Sequence, residues 1–226
     1  MNLLLLALVQ PQRAAGIIKS NPRWIVQFLI LAVLSIILAV LAQPYVVHLT
    51  LDRLPSSATA EDKFIVQQAL DGELYVRCAF LPIRLLIGWA SFALLLFYAC
   101  KGWRSKESVR FYHLWSLEVT AESVMVLAQA ASLIYALTGG GSSFMRIPFG
   151  LDMVFGPLAD PVKRMALNSV NIFALGYLYL LTTGISVLYG QSKIKSFFPV
   201  LAVWSLSVMF NVGIVSLLRD AFSFRL

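Results

Sequence analysis

The sequence predicts an all-α, polytopic membrane protein: a bundle of five transmembrane helices with a short N-terminal interfacial helix. Of its 226 residues, 59% are hydrophobic and only 13% are charged, and the mean hydropathy is +0.80. That composition lies far outside the usual range for soluble domains. Apolar stretches of about 20 residues, the length that crosses a hydrocarbon core roughly 30 Å thick, occur five times. Each stretch is expected to be helical, because backbone exposed to lipid must satisfy its own hydrogen bonds.

The first element is residues 1–23, which we predict to be a cytoplasmic interfacial segment. Its apolar run "LLLLALV" has no Lys or Arg before it, unlike the run of a secretory signal peptide. Apolar residues would share one helical face if a second turn of helix starts at Pro11, with nearby basic side chains reaching the lipid headgroups. These residues are Leu4, Leu5, Leu8, Ala15 and Ile18. A frayed tail is the alternative.

The membrane domain is predicted over residues 24–218, followed by an extracytoplasmic tail at 219–226. Its spans are expected at about 24–42, 74–100, 114–138, 167–189 and 197–218. Between the first two spans, "SSATAED" resembles a helix N-cap with acidic first-turn residues, which predicts a short amphipathic helix around Glu61 to Leu70. The loop 139–164 is rich in Gly and Pro but also apolar, so it is expected at the outer interface or against a partner.

The basic residues predict an orientation for this bundle. Nine Lys and Arg lie in the short segments 1–23, 101–113 and 190–196, whereas seven are spread over the longer segments on the other side. Lys and Arg are retained preferentially on the cytoplasmic side of a membrane. We therefore expect the N-terminus inside and the C-terminus outside.

Ionisable residues lie within the second and third predicted spans. Arg77 and Arg84 are seven residues apart, and Glu118 and Glu122 are four apart, so each pair shares one helical face. At about 1.5 Å per residue, Arg84 lies about 15 Å and Glu122 about 24 Å from the outer end of its span. An isolated charge in hydrocarbon is costly, so we predict an ion pair between Arg84 and Glu122. Three basic residues at the inner boundary are candidates to reach Glu118, namely Lys101, Arg104 and Arg110.

Amide side chains extend this polar set, since antiparallel helices could bring them into the outer half of the bundle. The predicted intramembrane polar network comprises Arg77, Arg84, Glu118, Glu122, Gln129, Asn168, Asn171 and Asn211. Two interpretations remain open. The network either lines a polar cavity for a proton, an ion or a headgroup, or forms a structural ion pair with interhelical amide bonds that only fix packing.

Several functional classes find no support in the residues. The basic residues are scattered and form no nucleic-acid face. A Gly-x-Ser motif ends at Ser186, but His48 and His113 are predicted far from it. Two distant histidines supply neither a metal site nor haem ligands, and Cys78 and Cys100, roughly 33 Å apart on one helix, cannot form a disulfide. We predict no catalytic residue, no metal site and no cofactor.

The stretch "LVQPQRAAGIIKSNPRWIVQFLIL" resembles the N-terminal signature of the Yip (Ypt/Rab-interacting protein) domain family, with Pro11, an apolar amphipathic stretch, then Pro22 and Trp24 before the first span. The stretch "LNSVNIFALGYLYLLTTGISVLYGQSKIKSFFPVLAVWS" is similar to that family's pattern of helix, small residue, short basic turn and helix. Its matching residues are Asn171, Phe173, Gly184, Lys195 and Trp204. The resemblance spans about Leu8 to Leu218, and the long apolar Gly/Pro loop departs from it.

The resemblance implies a bacterial-type member in the inner membrane, because the inner loops are basic and an extended acidic N-terminus is absent. Eukaryotic members act in vesicle traffic and membrane shaping with small GTPases. We therefore expect a non-enzymatic membrane scaffold or accessory subunit that contacts lipids and either partner subunits or further copies of itself. Small residues that permit close helix approach are Gly88, Gly176, Gly184 and Gly213. The alternative is a small transporter or lipid-handling protein with a polar site at Arg84, Glu122 and Asn171.

Overall fold

The computed structural model describes residues 3–52, 54–103, 109–138, 150–151 and 161–223. Its helices are α1 (Leu3–Val9), α2 (Pro11–Ser20), α3 (Ile25–Asp52), α4 (Ala60–Ala99), α5 (Phe111–Leu137), α6 (Pro161–Asn168), α7 (Ile172–Tyr189) and α8 (Lys193–Ser223). Within these ranges the β structure is limited to an isolated bridge between Gly150 and Asn171. Five helices, α3, α4, α5, α7 and α8, are long and apolar enough to cross a membrane. The predicted all-α, multi-pass fold is therefore confirmed.

The first two spanning helices are longer than the hydropathy pattern indicates. Helix α3 continues through Pro44 to Asp52, and α4 begins at Ala60, so the amphipathic helix predicted around Glu61 to Leu70 is the first part of α4. The predicted N-cap is Thr59: its hydroxyl accepts from the Asp62 N–H at 3.2 Å, and the Asp62 carboxylate accepts from the Thr59 N–H at 2.8 Å. At about 1.5 Å per residue α4 is roughly twice as long as the hydrocarbon core is thick.

The fourth predicted span, 167–189, is interrupted in the structure. Helix α6 ends at Asn168 and α7 begins at Ile172. Asn171 explains the restart, because its side-chain oxygen accepts from the Ala174 N–H at 2.9 Å while its side-chain nitrogen donates to the Asn168 carbonyl at 2.8 Å. The fifth span is longer than predicted and runs from Lys193 to Ser223. Most of the loop 139–164 lies outside the described residues.

Helix α5 is the centre of the bundle. It packs against α3, α4 and α7, and α8 closes the arrangement by contacting both α7 and α4. The main core lies along α5 and α7 and is apolar. It includes Leu114, Leu117, Ala121 and Val124 from α5 and Leu181, Ile185 and Leu188 from α7.

The N-terminal segment forms two short helices that pack onto the bundle. Helix α1 contacts α5, and α2 contacts both α7 and α5. Of the face predicted to lie on the membrane, Leu4, Ala15 and Ile18 are buried by protein, whereas Leu5 and Leu8 are exposed. Residues 3–20 therefore belong in part to the protein core.

Small residues set the distance between α5 and α7. A Cβ atom at Gly184 would lie 2.9 Å from the Leu117 Cγ and closer still to its methyl groups, and one at Gly176 would lie 3.3 Å from the Val124 Cγ1. At Gly88 and Gly213 a Cβ atom meets nothing within 4 Å. Close helix approach thus requires glycine at Gly184, is tight at Gly176, and makes no such demand at the other two predicted positions.

Replacing Gly184 with Ala is expected to lower the free energy of unfolding by about 1–3 kcal/mol, since the added methyl group overlaps the buried Leu117. Unfolding of the purified protein in detergent measures the effect. Gly213→Ala is the matched control, because its Cβ atom enters open space and Ala favours a helix. Equal melting temperatures for the two variants would contradict this packing.

Replacing Ile18 with Ala is expected to lower the free energy of unfolding by about 2–5 kcal/mol, because the fully buried Ile18 side chain belongs to the main core. Ile17→Ala, one residue away and 42% exposed, serves as the control and is expected to change stability by no more than about 0.5 kcal/mol. If α2 only rested on the membrane surface, the two variants would melt alike.

Candidate functional site

A cavity of about 790 Å³ lies between α4, α5, α7 and α8. It extends from the level of Glu118 on α5 to Ser169, which precedes α7. Two carboxylates, those of Glu118 and Glu122, contribute to its lining. This cavity is the candidate site, because it combines acidic groups with a volume typical of ligand pockets.

Glu118 is held by a hydrogen bond from the neighbouring helix. Its side chain is 1% exposed, and the Tyr177 hydroxyl donates to its Oε1 at 2.7 Å. The other carboxylate oxygen, Oε2, is buried and has no hydrogen-bond partner within the described part of the chain. A buried carboxylate with one satisfied oxygen still needs a further donor, proton or cation.

Glu122 lies one helical turn further along α5, on the same face as Glu118. It is half-buried, and it interacts with the indole N–H of Trp89 on α4. The two carboxylates are close enough to interact electrostatically. Each is thus contacted by a neutral donor from a different helix, Tyr177 of α7 or Trp89 of α4.

The predicted ion pair between Arg84 and Glu122 is absent: Arg84 is exposed, and among the described residues no ion pair includes it. The reason is helical rotation. Trp89 faces the bundle, and five residues turn a helix by about 140° relative to it, so Arg84 points outward. Arg77 is also exposed and pairs with Glu73, one turn earlier on α4, at 2.5 Å.

The basic residues proposed for Glu118 also lie elsewhere. Lys101 stands 5.6 Å from the centre of the Tyr98 ring, and the Arg110 guanidinium stands 6.0 Å from that of Tyr112. Arg104 lies outside the described residues. Glu118 is instead satisfied in part by Tyr177, and neither Lys101 nor Arg110 is its partner.

Of the amide side chains predicted for the network, one lines the cavity and the other three lie elsewhere. Asn211 lines the cavity, and its side-chain nitrogen donates to the Ser207 carbonyl at 2.9 Å. Gln129 is exposed on α5, and Asn168 and Asn171 form the break between α6 and α7. Of the predicted network, the structure brings Glu118, Glu122 and Asn211 together at the cavity.

Two site residues were not predicted from the sequence, Tyr177 and Trp89. Their presence within spanning segments could have indicated buried donors, because the hydroxyl of a Tyr and the indole N–H of a Trp usually find a hydrogen-bond partner when buried. Neither signal identifies the partner, because Tyr177 and Glu118 are 59 residues apart in sequence and meet only through the packing of α5 on α7.

The chemistry of the cavity follows from its charges. The described residues that line it include no Lys, Arg or His. Two carboxylates one turn apart in a low-dielectric interior cannot both carry an uncompensated charge. The compensation must come from protons or from a bound cation, and a cationic ligand that displaces protons is one way for the cavity to supply it.

The fold and this cavity define a multi-pass membrane protein with an acidic intramembrane site. Comparison of the chain with protein-family models, with curated proteins and with solved structures finds no match. The resemblance to the Yip family therefore stays a prediction.

Replacing Tyr177 with Phe is expected to destabilise the protein by about 1–3 kcal/mol, because both oxygens of the Glu118 carboxylate then lack a described donor. Tyr179→Phe, at an exposed position two residues away, is the control and is expected to leave the free energy of unfolding unchanged. Thermal unfolding in detergent compares the two.

A second variant separates this hydrogen bond from a general loss of packing. Combining Tyr177→Phe with Glu118→Met removes donor and acceptor together, and most of the lost stability is expected to return, since no polar group is stranded. If the double variant melts below the single variant, the hydrogen bond is not the cause.

Proposed function

We propose that the protein is a small, non-enzymatic membrane transporter whose acidic cavity binds a cationic solute. Glu118 and Glu122 supply the charge that the solute neutralises, and Tyr177 and Trp89 hold the two carboxylates in place. The observation that carries the proposal is the pair of carboxylates lining a cavity of about 790 Å³ in which no described lining residue is basic.

The position of the cavity supports transport. We place the N-terminus in the cytoplasm of a bacterial cell and the protein in its inner membrane, following the distribution of Lys and Arg. In that orientation Ser169, near the start of α7, lies toward the outer side, and Glu118 lies nearer the inner side. Solute bound in the cavity would then lie on the outer side of the apolar core of α5 and α7, which would block its release inward until the helices move.

A scaffold or accessory subunit is the second candidate. It is favoured by the exposure of two helices: only 17% of the most apolar stretch of α4 and 11% of that of α8 are buried, against 56% for α5 and 61% for α7. Such surfaces are available to lipids, partner subunits or a second copy. A scaffold needs the fold but not the two carboxylates.

The double variant Glu118→Gln with Glu122→Gln tests the transporter proposal. Melting temperatures of the purified protein are measured with Na⁺, K⁺, tetramethylammonium and tetraphenylphosphonium, because a ligand that binds the folded state at 100 times its Kd stabilises it by about 2.7 kcal/mol. At least one cation is expected to stabilise the wild type and not the double variant. The amide introduced by Glu118→Gln can still accept a hydrogen bond from Tyr177, so the variant should fold.

The control is Glu61→Gln, which removes an exposed carboxylate from the start of α4, away from the cavity. Each cation is expected to change the melting temperature of this control as much as it changes that of the wild type. If no cation distinguishes the double variant from the wild type, the transporter proposal is wrong. If the double variant also keeps its partner subunits in a mild-detergent purification, the scaffold becomes the better account.

A further inference from the structure

We propose that the ligand of this cavity is a lipophilic organic cation, an ammonium or phosphonium centre carrying apolar groups, which enters sideways from the bilayer. This inference rests on the proposed function and adds the substrate class and the route of entry. It depends on the size of the cavity, its aromatic lining and the exposure of its rim.

The size argues against a bare metal ion. A volume of about 790 Å³ falls in the range of pockets for organic ligands, which span roughly 300 to 1,000 Å³. Hard cations such as Ca²⁺ require six to eight oxygen ligands at short distance. Here the carboxylates occupy one wall, so an ion bound to them would leave most of the cavity empty.

The lining supplies what an organic cation needs. Aromatic side chains from three helices surround the cavity, namely Trp89, Phe92, Tyr177, Trp204 and Phe210. The faces of such rings attract cations and also bury apolar substituents. Glu118 lines the cavity, and its buried Oε2 has no hydrogen-bond partner within the described part of the chain, so its carboxylate provides the counter-charge.

The rim of the cavity includes exposed residues of two spanning helices. Lining residues on both α4 and α8 are exposed, including Ser91 and Leu95 on α4 and Leu206 and Phe210 on α8. Both helices are long and apolar enough to cross a membrane, so their exposed surfaces would face lipid. A solute that partitions into the bilayer can therefore reach the carboxylates between α4 and α8.

Equilibrium dialysis of tetraphenylphosphonium against the purified protein in a nonionic detergent tests the inference. Wild type is expected to bind it and to bind tetramethylammonium, Na⁺ and K⁺ at least tenfold more weakly. Glu118→Gln with Glu122→Gln should abolish binding. Trp204→Leu should weaken it about tenfold, because it removes a cation–π contact, whereas Trp204→Phe should largely retain it.

Phe198→Leu is the matched control, since Phe198 is an exposed aromatic residue of α8 outside the cavity. This variant should bind tetraphenylphosphonium with the affinity of the wild type. Phe210→Leu, at the exposed rim, provides a second test should Trp204→Leu fail to fold. Binding that is unchanged in both aromatic variants would overturn the inference.

The outcomes separate this inference from the proposed function. Carboxylate-dependent binding of Na⁺, K⁺ or tetramethylammonium without binding of tetraphenylphosphonium overturns the inference and leaves the transporter proposal standing. Tetraphenylphosphonium binding that survives in the double variant, or binding of no cation at all, overturns both.

A lipid with an ammonium headgroup also presents a cationic centre and apolar groups. One further experiment distinguishes such a lipid from a free solute as the natural ligand. Phosphatidylethanolamine or phosphatidylglycerol is added to the micelles during dialysis. Displacement of tetraphenylphosphonium by phosphatidylethanolamine alone supports the site and assigns its natural occupant to a lipid. No displacement by either assigns it to a free solute, and equal displacement by both contradicts recognition of a cation.

Discussion

The burial of two carboxylates on the central helix is the constraint on which the rest of this structure depends. Glu118 and Glu122 lie on α5, which contacts three other spanning helices, so their charge cannot be removed to the surface. Neutral donors on α7 and α4 satisfy part of the need of these carboxylates for hydrogen bonds. The remainder falls to protons or a ligand in the cavity instead of a salt bridge, because the arginine of the right depth, Arg84, faces outward.

The tight packing of α5 on α7 is what brings a donor to Glu118. Glycine at Gly184 lets α7 approach the Leu117 side chain closely, and Leu117 precedes Glu118 in sequence. Tyr177 lies seven residues before Gly184, on the same helical face, so the approach that buries Leu117 also directs the Tyr177 hydroxyl toward α5. Packing and polar satisfaction therefore depend on the same contact surface.

The sequence predicted the all-α class and the number of spanning helices correctly, because apolar length alone identifies spanning helices. It did not predict which helical face points inward. In a soluble protein an amphipathic pattern identifies the buried face, but α4 and α8 show no marked apolar face, since lipid and protein interior are equally apolar. Depth could therefore be estimated for Arg84 and Glu122, whereas rotation could not, and the predicted ion pair failed for that reason. The break at Asn171 was missed although Asn168, Ser169 and Asn171, all residue types that favour helix N-caps, lie together before Ile172.

The contrast between the two sides of the bundle is consistent with movement. Along α5 and α7 the helices pack closely through glycine and buried apolar side chains. Across the cavity, α4 and α8 bury few residues and leave exposed lining at their rim. A change in separation of α4 and α8 would alter the cavity and preserve the core, because both carboxylates lie on α5. Loss of charge on Glu118 and Glu122, by proton or by ligand, removes the main electrostatic reason for keeping that cavity open. Occupancy of the site and the distance between α4 and α8 are thereby expected to be coupled.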